Sequence, residues 1–334
     1  MRLSQILTPQ GDRAVAAVLD DGAAVMVPGA AGVRELAFEA ITGGVSLEAA
    51  VAARLDGRAR VTVDLDDVYR DGRMLAPLDH PDPAHVYVTG TGLTHLGSAE
   101  GRDKMHKDLS DPAKQTDSMK MFRMGLEGGK PGPGEAGVQP EWFYKGDGSI
   151  VAAPGAPLVS PAFALDGGEE PEIVGLYVIG PDGTPWRVGF ALGNEFSDHV
   201  TERQNYLYLA HSKLRACSFG PELLVGALPS GVSGVSRILR EGTIVWQKPF
   251  LSGEDNMSHT IANLEHHHFK YDLFRRPGDV HVHYFGTATL SFSDAVTTRA
   301  GDVFEISAPP FGLPLRNGLA VAASEPGPGL VRAL

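Results

Sequence analysis

The chain has 334 residues and a formal net charge of −12; it holds neither a Lys/Arg-rich block nor a basic–aromatic alternation, which argues against nucleic acid or an anionic membrane as partner. No apolar run approaches the roughly 20 residues of a membrane-spanning helix, and the opening MRLSQILTPQGDR does not read as a signal peptide. The single cysteine, Cys217, excludes an internal disulfide and suits a reducing compartment, so a cytoplasmic protein is expected.

Forty-one Gly and 24 Pro without a repeat period predict a turn-rich, strand-rich chain. Residues 1–78 read as a small N-terminal α+β domain. AVAAVLDDGAAVMV gives two short strands around an Asp-Gly turn, and LAFEAITGGVSLEAAVAARL has helical spacing with a Gly-Gly break. DGRMLAPLDHPDPAH is a proline-rich linker into residues 79–334. This larger, strand-dominated region opens with VYVTGTGLTHLG and a polar, helix-compatible segment running to Gly125. GLEGGKPGPGEAG is then either a connector or a mobile flap over a site. From EWFYKGDGSIV onward short apolar runs alternate with Gly, Pro and Asp turns, and NYLYLAHSKLRA is helix-compatible. An antiparallel or mixed sheet closed on itself is the expected solution, within an overall α+β class.

The chemistry concentrates around EEPEIVGLYV. On a strand Glu170 and Glu172 share a face, about 7 Å apart by the strand rise. Two such charges are solvated, protonated or bridged by a cation. After a GPDG turn and a second apolar strand comes GFALGNEFSDH, so pairing of the two strands carries Glu195 back towards the first two acids. Three converging carboxylates suit Mg²⁺, with Mn²⁺ or Ca²⁺ as alternatives; the competing reading is a solvated strand face. HHH at His266–His268 and the i, i+2 pair His281 and His283 lack an accompanying Cys or carboxylate and read as structural or surface groups. Cys217 reads as a buried structural thiol.

The run EEPEIVGLYVIGPDGTPWRVGFALGNEFSDH, with HSKLRACSFGPELL after it, resembles the fumarylacetoacetate hydrolase superfamily over residues 85 to 317, and within it the branch of 2-keto-3-deoxy-pentonate dehydratases. The resemblance implies a C-terminal mixed β-sandwich or roll, a homodimer, and Glu170, Glu172 and Glu195 as Mg²⁺ ligands; Glu195 is one methylene longer than the usual Asp. It further implies Lys213 as a base at C3 of a 2-oxo acid substrate, with Arg215 able to take over carboxylate orientation. His95 with Glu100 resembles a water-activating His–Glu pair, and His106 competes with His95 for that role. Lys145 in WFYKGDGS and the Gly286–Thr289 loop, Gly286 and Thr287 above all, are implied substrate contacts. His199 stands where an arginine is frequent. Dehydration of a 2-keto-3-deoxy sugar acid is the leading expectation. C–C hydrolysis of a 2,4-dioxo acid follows it, with decarboxylation and a non-catalytic sugar-acid binder as further possibilities.

Overall fold

A computed structural model describes residues 1–97, 116–323 and 331–334. The N-terminal strand β1 (Arg2–Leu7) pairs with β2 (Arg13–Val18), which returns through a turn at Gly22 into β3 (Ala24–Met26), the hairpin expected around Asp-Gly. Gly22 adopts φ +82, a conformation that costs glycine nothing. Helix α1 (Val33–Gly43) stops at Gly44, whose left-handed backbone lets its N–H return to the carbonyls of the last turn. Ser46 then caps α2 (Leu47–Leu55) by accepting from the Ala49 N–H. A short α3 (Leu65–Arg70) leads to β4 (Val86–Gly92).

Of the polar segment expected to be helical, residues 98–115 lie outside the described residues, and α4 (Asp117–Gly128) begins at a Thr116 cap. The Gly/Pro-rich stretch after it is neither slack nor free. The Gly137 N–H donates to Asn263 Oδ1, Asn263 Nδ2 donates to the Val138 carbonyl, and Lys130 Nζ donates to the Glu254 carbonyl, fastening the loop to the chain around 254–263. Then follow β5 (Glu141–Asp147), β6 (Val151–Ala152), β7 (Leu158–Ser160), β8 (Pro171–Ile179) and β9 (Pro185–Asn194). NYLYLAHSKLRA is broken rather than one helix. After α5 (His199–Gln204), residues Tyr206–Tyr208 make a tight turn and α6 covers only Leu209–Lys213. The remaining elements are β10 (Cys217–Phe219), β11 (Leu223–Leu224), β12 (Val232–Arg240), β13 (Thr243–Ser252), α7 (Ile261–Phe269), β14 (Val280–Tyr284), β15 (Val303–Ser307) and β16 (Leu315–Val321).

The strands form two mixed sheets, as expected for a strand-dominated α+β fold. The larger, of 11 strands, has the path β3-β2-β1-β11-β9-β8-β14-β4-β5, with β10 beside β9 and β6 beside β10; the smaller runs β13-β12-β15-β16-β7. Most pairs are antiparallel, while β14–β4, β10–β6 and β16–β7 are parallel. The sheet crosses the linker expected near residue 78, because β1 pairs with β11, Arg2 opposite Leu224. Strand β8 is buried along its whole length because both of its faces are covered, which explains the unbroken apolar run IVGLYVI. Val174, Leu176 and Val178 pack with Val33, Leu36 and Val51 of the helices. Ile173 packs with Val232, Phe250 and Ile306 of the smaller sheet and with Ile261 and Leu264 of α7. Among the described residues, no single helix is long and apolar enough to cross a membrane.

Candidate metal centre

The GPDG turn makes the centre by closing the β8–β9 hairpin. Asp182 accepts from the Thr184 N–H and hydroxyl, and Gly183 adopts φ +82. From that turn the register runs to Glu172 opposite Gly193 and Pro171 opposite Asn194, and the Glu195 N–H donates to the Glu170 carbonyl. Asn194 Oδ1 accepts from the N–H groups of Glu170 and Phe196, fixing the backbone on both sides of the crossing. Glu170, Glu172 and Glu195 each bring an oxygen within 4.8 Å of the others, and all three are buried. The solvated strand face is thereby excluded.

Burial raises the Glu172 carboxyl well above the usual range, and the charges of Glu195 and Glu170 add to it. Glu195 is pushed up to about 7 by burial and by Glu170. Glu170 goes the other way. Burial opposes its charge, but Lys213 and His199 hold it well below the usual value. Glu195 Oε1 is a buried oxygen that accepts no hydrogen bond; Lys145 Nζ lies 2.7 Å away, outside a hydrogen-bonding direction. An all-carboxylate, hard-oxygen set that crowds three acids within 4.8 Å fits a divalent cation of the Mg²⁺ class.

Lys213, at the end of α6, donates to Glu170 Oε1 at 2.5 Å and to Glu195 Oε2 at 2.6 Å. Burial lowers its pKa, but these two carboxylates outweigh burial and raise it well above the ordinary lysine value. The lowered pKa expected of a base therefore does not hold for this arrangement. Lys145 is fully buried and donates to the carbonyls of Phe196 and Lys213, so it braces the centre instead of reaching out of it. His199 Nε2 lies 3.1 Å from Glu170 Oε1 and Nδ1 3.4 Å from Asp166 Oδ2. Burial lowers its pKa, but the bonds to the two carboxyls carry it up to about 10. Gly286 donates its N–H to Glu172 Oε2 at 2.7 Å, so this amide orients a ligand carboxylate. A side chain on Gly286 would strike Thr94 Oγ1 and the Thr91 carbonyl at φ +97, which demands glycine. Thr287 Oγ1 accepts from the Thr289 N–H and shapes that loop.

Two groups stand apart. Arg215 donates to Asp198 Oδ2 at 2.9 Å, and Asp198 caps α5, so the guanidinium anchors the helix start rather than the carboxylate trio. His95 is buried, with Nδ1 2.9 Å from Thr94 Oγ1 and Nε2 3.0 Å from Ser252 Oγ, and burial lowers it to about 3. Glu100 and His106 lie outside the described residues.

Sequence reasoning missed Glu141. It opens β5 opposite Gly92 of β4, is nearly buried, and accepts from the Tyr206 hydroxyl at 2.6 Å. Burial raises its pKa, partly offset by the Tyr206 bond and the Lys213 charge, so this carboxyl sits within electrostatic reach of Lys213 and Glu170. Glu141 and Lys145 share a face of β5 by their i, i+4 spacing, but that spacing does not reveal which face turns inward. A separate cluster joins His268 of α7 to His281 and His283 of β14. His268 Nε2 lies 3.0 Å from His281 Nδ1, and His283 Nδ1 lies 2.8 Å from Thr89 Oγ1. His268 stacks between Phe274 and His283, the structural role expected of it; His266 is exposed.

No protein-family model and no curated protein matches the sequence. Solved structures do match the fold. A structure titled 2-keto-3-deoxy-D-arabinonate dehydratase complexed with magnesium and 2,5-dioxopentanoate superposes with a TM-score of 0.69 at 18% identity, covering 97% of this chain and 100% of that one. A 5-carboxymethyl-2-hydroxymuconate delta-isomerase from Mycobacterium smegmatis gives 0.57 at 18% identity over 97% and 100%. A 2-hydroxyhepta-2,4-diene-1,7-dioate isomerase from Mycobacterium marinum gives 0.55 at 16% over the same shares. The fumarylacetoacetate hydrolase-like fold expected from the sequence is thus the fold observed.

Proposed function

We propose that this protein is a divalent-metal-dependent hydro-lyase that removes water from a 2-keto-3-deoxy sugar acid. The observation that carries the reading is the buried Glu170–Glu172–Glu195 trio with Lys213 against two of its members and Glu141 close by. The likeness to the dehydratase structure with magnesium and 2,5-dioxopentanoate supports it. Glu170, Glu172 and Glu195 would hold the ion. When bound, such an ion would withdraw charge from the 2-oxo group and make the C3 proton acidic.

Lys213 Nζ, once it has released its own ammonium proton to solvent, would receive the proton from C3. Glu141, whose burial favours the protonated carboxyl, would give its proton to the departing C4 hydroxyl. The proton taken from C3 and the one given to the hydroxyl balance the loss of water, and return of the Lys213 proton to Glu141 by way of solvent resets both groups. Lys145 and the Gly286 amide hold Glu195 and Glu172 in place throughout. A homodimer and a cytoplasmic location complete the reading.

The test is to incubate the purified protein and Mg²⁺ with 2-keto-3-deoxy-pentonates and, separately, with 2,4-dioxo acids. Formation of 2-oxoglutarate semialdehyde from the first supports the dehydratase, and pyruvate from the second overturns it. Sugar-acid binding without turnover of either class makes the protein a binder. Lys213→Met is expected to lower kcat by about 10²–10⁴-fold.

A further inference from the structure

The segment from His199 to Lys213 delivers side chains to the centre at both of its ends, and Tyr206 lies in its middle. Tyr206 sits on the turn between α5 and α6, half in solvent, yet its hydroxyl reaches Glu141 Oε2 at 2.6 Å. Glu141 is clamped from the other side as well. Its Oε1 lies where a Cβ on Gly92 would stand, so only glycine at the paired position lets the carboxyl fold back across β4.

We propose that Tyr206 is a positioning residue for the acid: its phenol fixes Glu141 Oε2 as an acceptor, leaves Oε1 to carry the transferable proton, and stabilises the carboxylate left after transfer. The inference rests on the dehydratase reading, in which Glu141 is the proton donor. Physical chemistry supports the division of labour. A phenol offers one proton and a carboxylate only lone pairs, and a hydrogen bond to a charged acceptor is stronger than one to the neutral acid. The groups facing Glu141 are Tyr206 on the turn, Lys213 on α6, Glu202 on α5 and Glu170 before β8. Tyr206 faces Glu141, Glu202 and Asp117 of α4. Among them Tyr206 is the neutral donor bonded to the acid, while Lys213 serves Glu170 and Glu195.

The experiment compares the full-length protein with Tyr206→Phe, using Leu207→Ala on the same exposed turn as control. The protonated Glu141 carboxyl is read as the infrared C=O band that Glu141→Gln removes. Loss of the phenol is expected to raise the midpoint of that band by about one pH unit and to move the alkaline limb of kcat the same way. It should lower kcat about tenfold while KM and Mg²⁺ affinity hold. An unmoved midpoint in folded Tyr206→Phe overturns the proposal. Should that variant fail to fold, Glu141→Gln reads the contact from the other side through the ¹³Cζ shift of Tyr206, and an unchanged shift overturns it equally. If the parent turns over no 2-oxo acid, the dehydratase reading falls while the infrared midpoint still decides the role of Tyr206.

Discussion

The carboxylate trio, at the open end of the β8–β9 hairpin, and the imidazole cluster, between β14 and α7, are both buried polar groups, and β8 and β14 are neighbours in one sheet. They solve burial in opposite ways. The imidazoles lose their charge: burial drives His281 and His283 down to about 3 and His268 well below its usual value. As neutral rings they stack, with Tyr87 and Phe274 completing the pile, and His281 and His283 hydrogen-bond through Nδ1 while Nε2 of each stays buried without a partner. The trio keeps ionisable acids crowded together, with Lys213, Lys145 and His199 set against them. Glu172 and Glu195 are raised, Glu170 is lowered, and Glu195 Oε1 stays unsatisfied even with two lysines at hand. One cluster sheds its charge on burial, whereas the other keeps ionisable groups and sets acids and cations against one another.

The largest effect that would break this contrast is on ion binding. Glu172→Gln should weaken Mg²⁺ binding at least about a hundredfold, since even outer partners of metal ligands cost 10–100-fold. The metal-free protein should meanwhile be no less stable, because a buried carboxyl that resists ionisation is replaced by a neutral amide of the same shape; calorimetric titration and melting read the two quantities. In the wild type, protons and Mg²⁺ should compete for Glu195, whose carboxyl burial and Glu170 push up to about 7. Affinity should therefore climb with pH, at most about tenfold per unit per proton released, and level off above that value. A pH-independent affinity would place the ion elsewhere.

Next comes acid stability. The buried imidazoles have folded pKa values below the unfolded 6.5, so the unfolded chain binds protons that the fold refuses. Their contribution is intact above about 6.5 and fades as pH falls towards about 3. From about pH 7 to about pH 5 each should cost on the order of 2 kcal/mol. His281→Asn should flatten that decline in denaturant melts without touching Mg²⁺ affinity. The smallest effect sharpens the contrast within the acids themselves. Glu169 is buried beside the trio, but both oxygens are served by the N–H and hydroxyl of Ser291. Glu169→Gln should cost about 1 kcal/mol of stability and leave Mg²⁺ affinity within about threefold, because that carboxyl is already satisfied.

The sequence shows the trio because strand alternation and a hairpin turn are local rules. Glu170 and Glu172 are two residues apart, and the GPDG turn sets where Glu195 returns. The mixed sheets follow from the short apolar runs in the same way. Glu141 is not legible, since its inward aim depends on facing Gly92 across β4 and on a tyrosine from a distant turn. Arg215 and Lys145 carry the expected charges, but which acid each meets is decided by packing: Asp198 takes the arginine, and two carbonyls take the lysine. The role of His95 likewise rested on its neighbours, and Thr94 and Ser252 occupy both ring nitrogens.

The pairing of β1 with β11, Arg2 opposite Leu224, has a consequence for biosynthesis. The edge of β1 at Arg2 and Leu3 must wait until translation has passed Leu224 before it finds its mate. Until then the hairpin of β1 and β2 presents open amide groups along Arg2 and Leu3, a stretch that nascent-chain chaperones would be expected to shield.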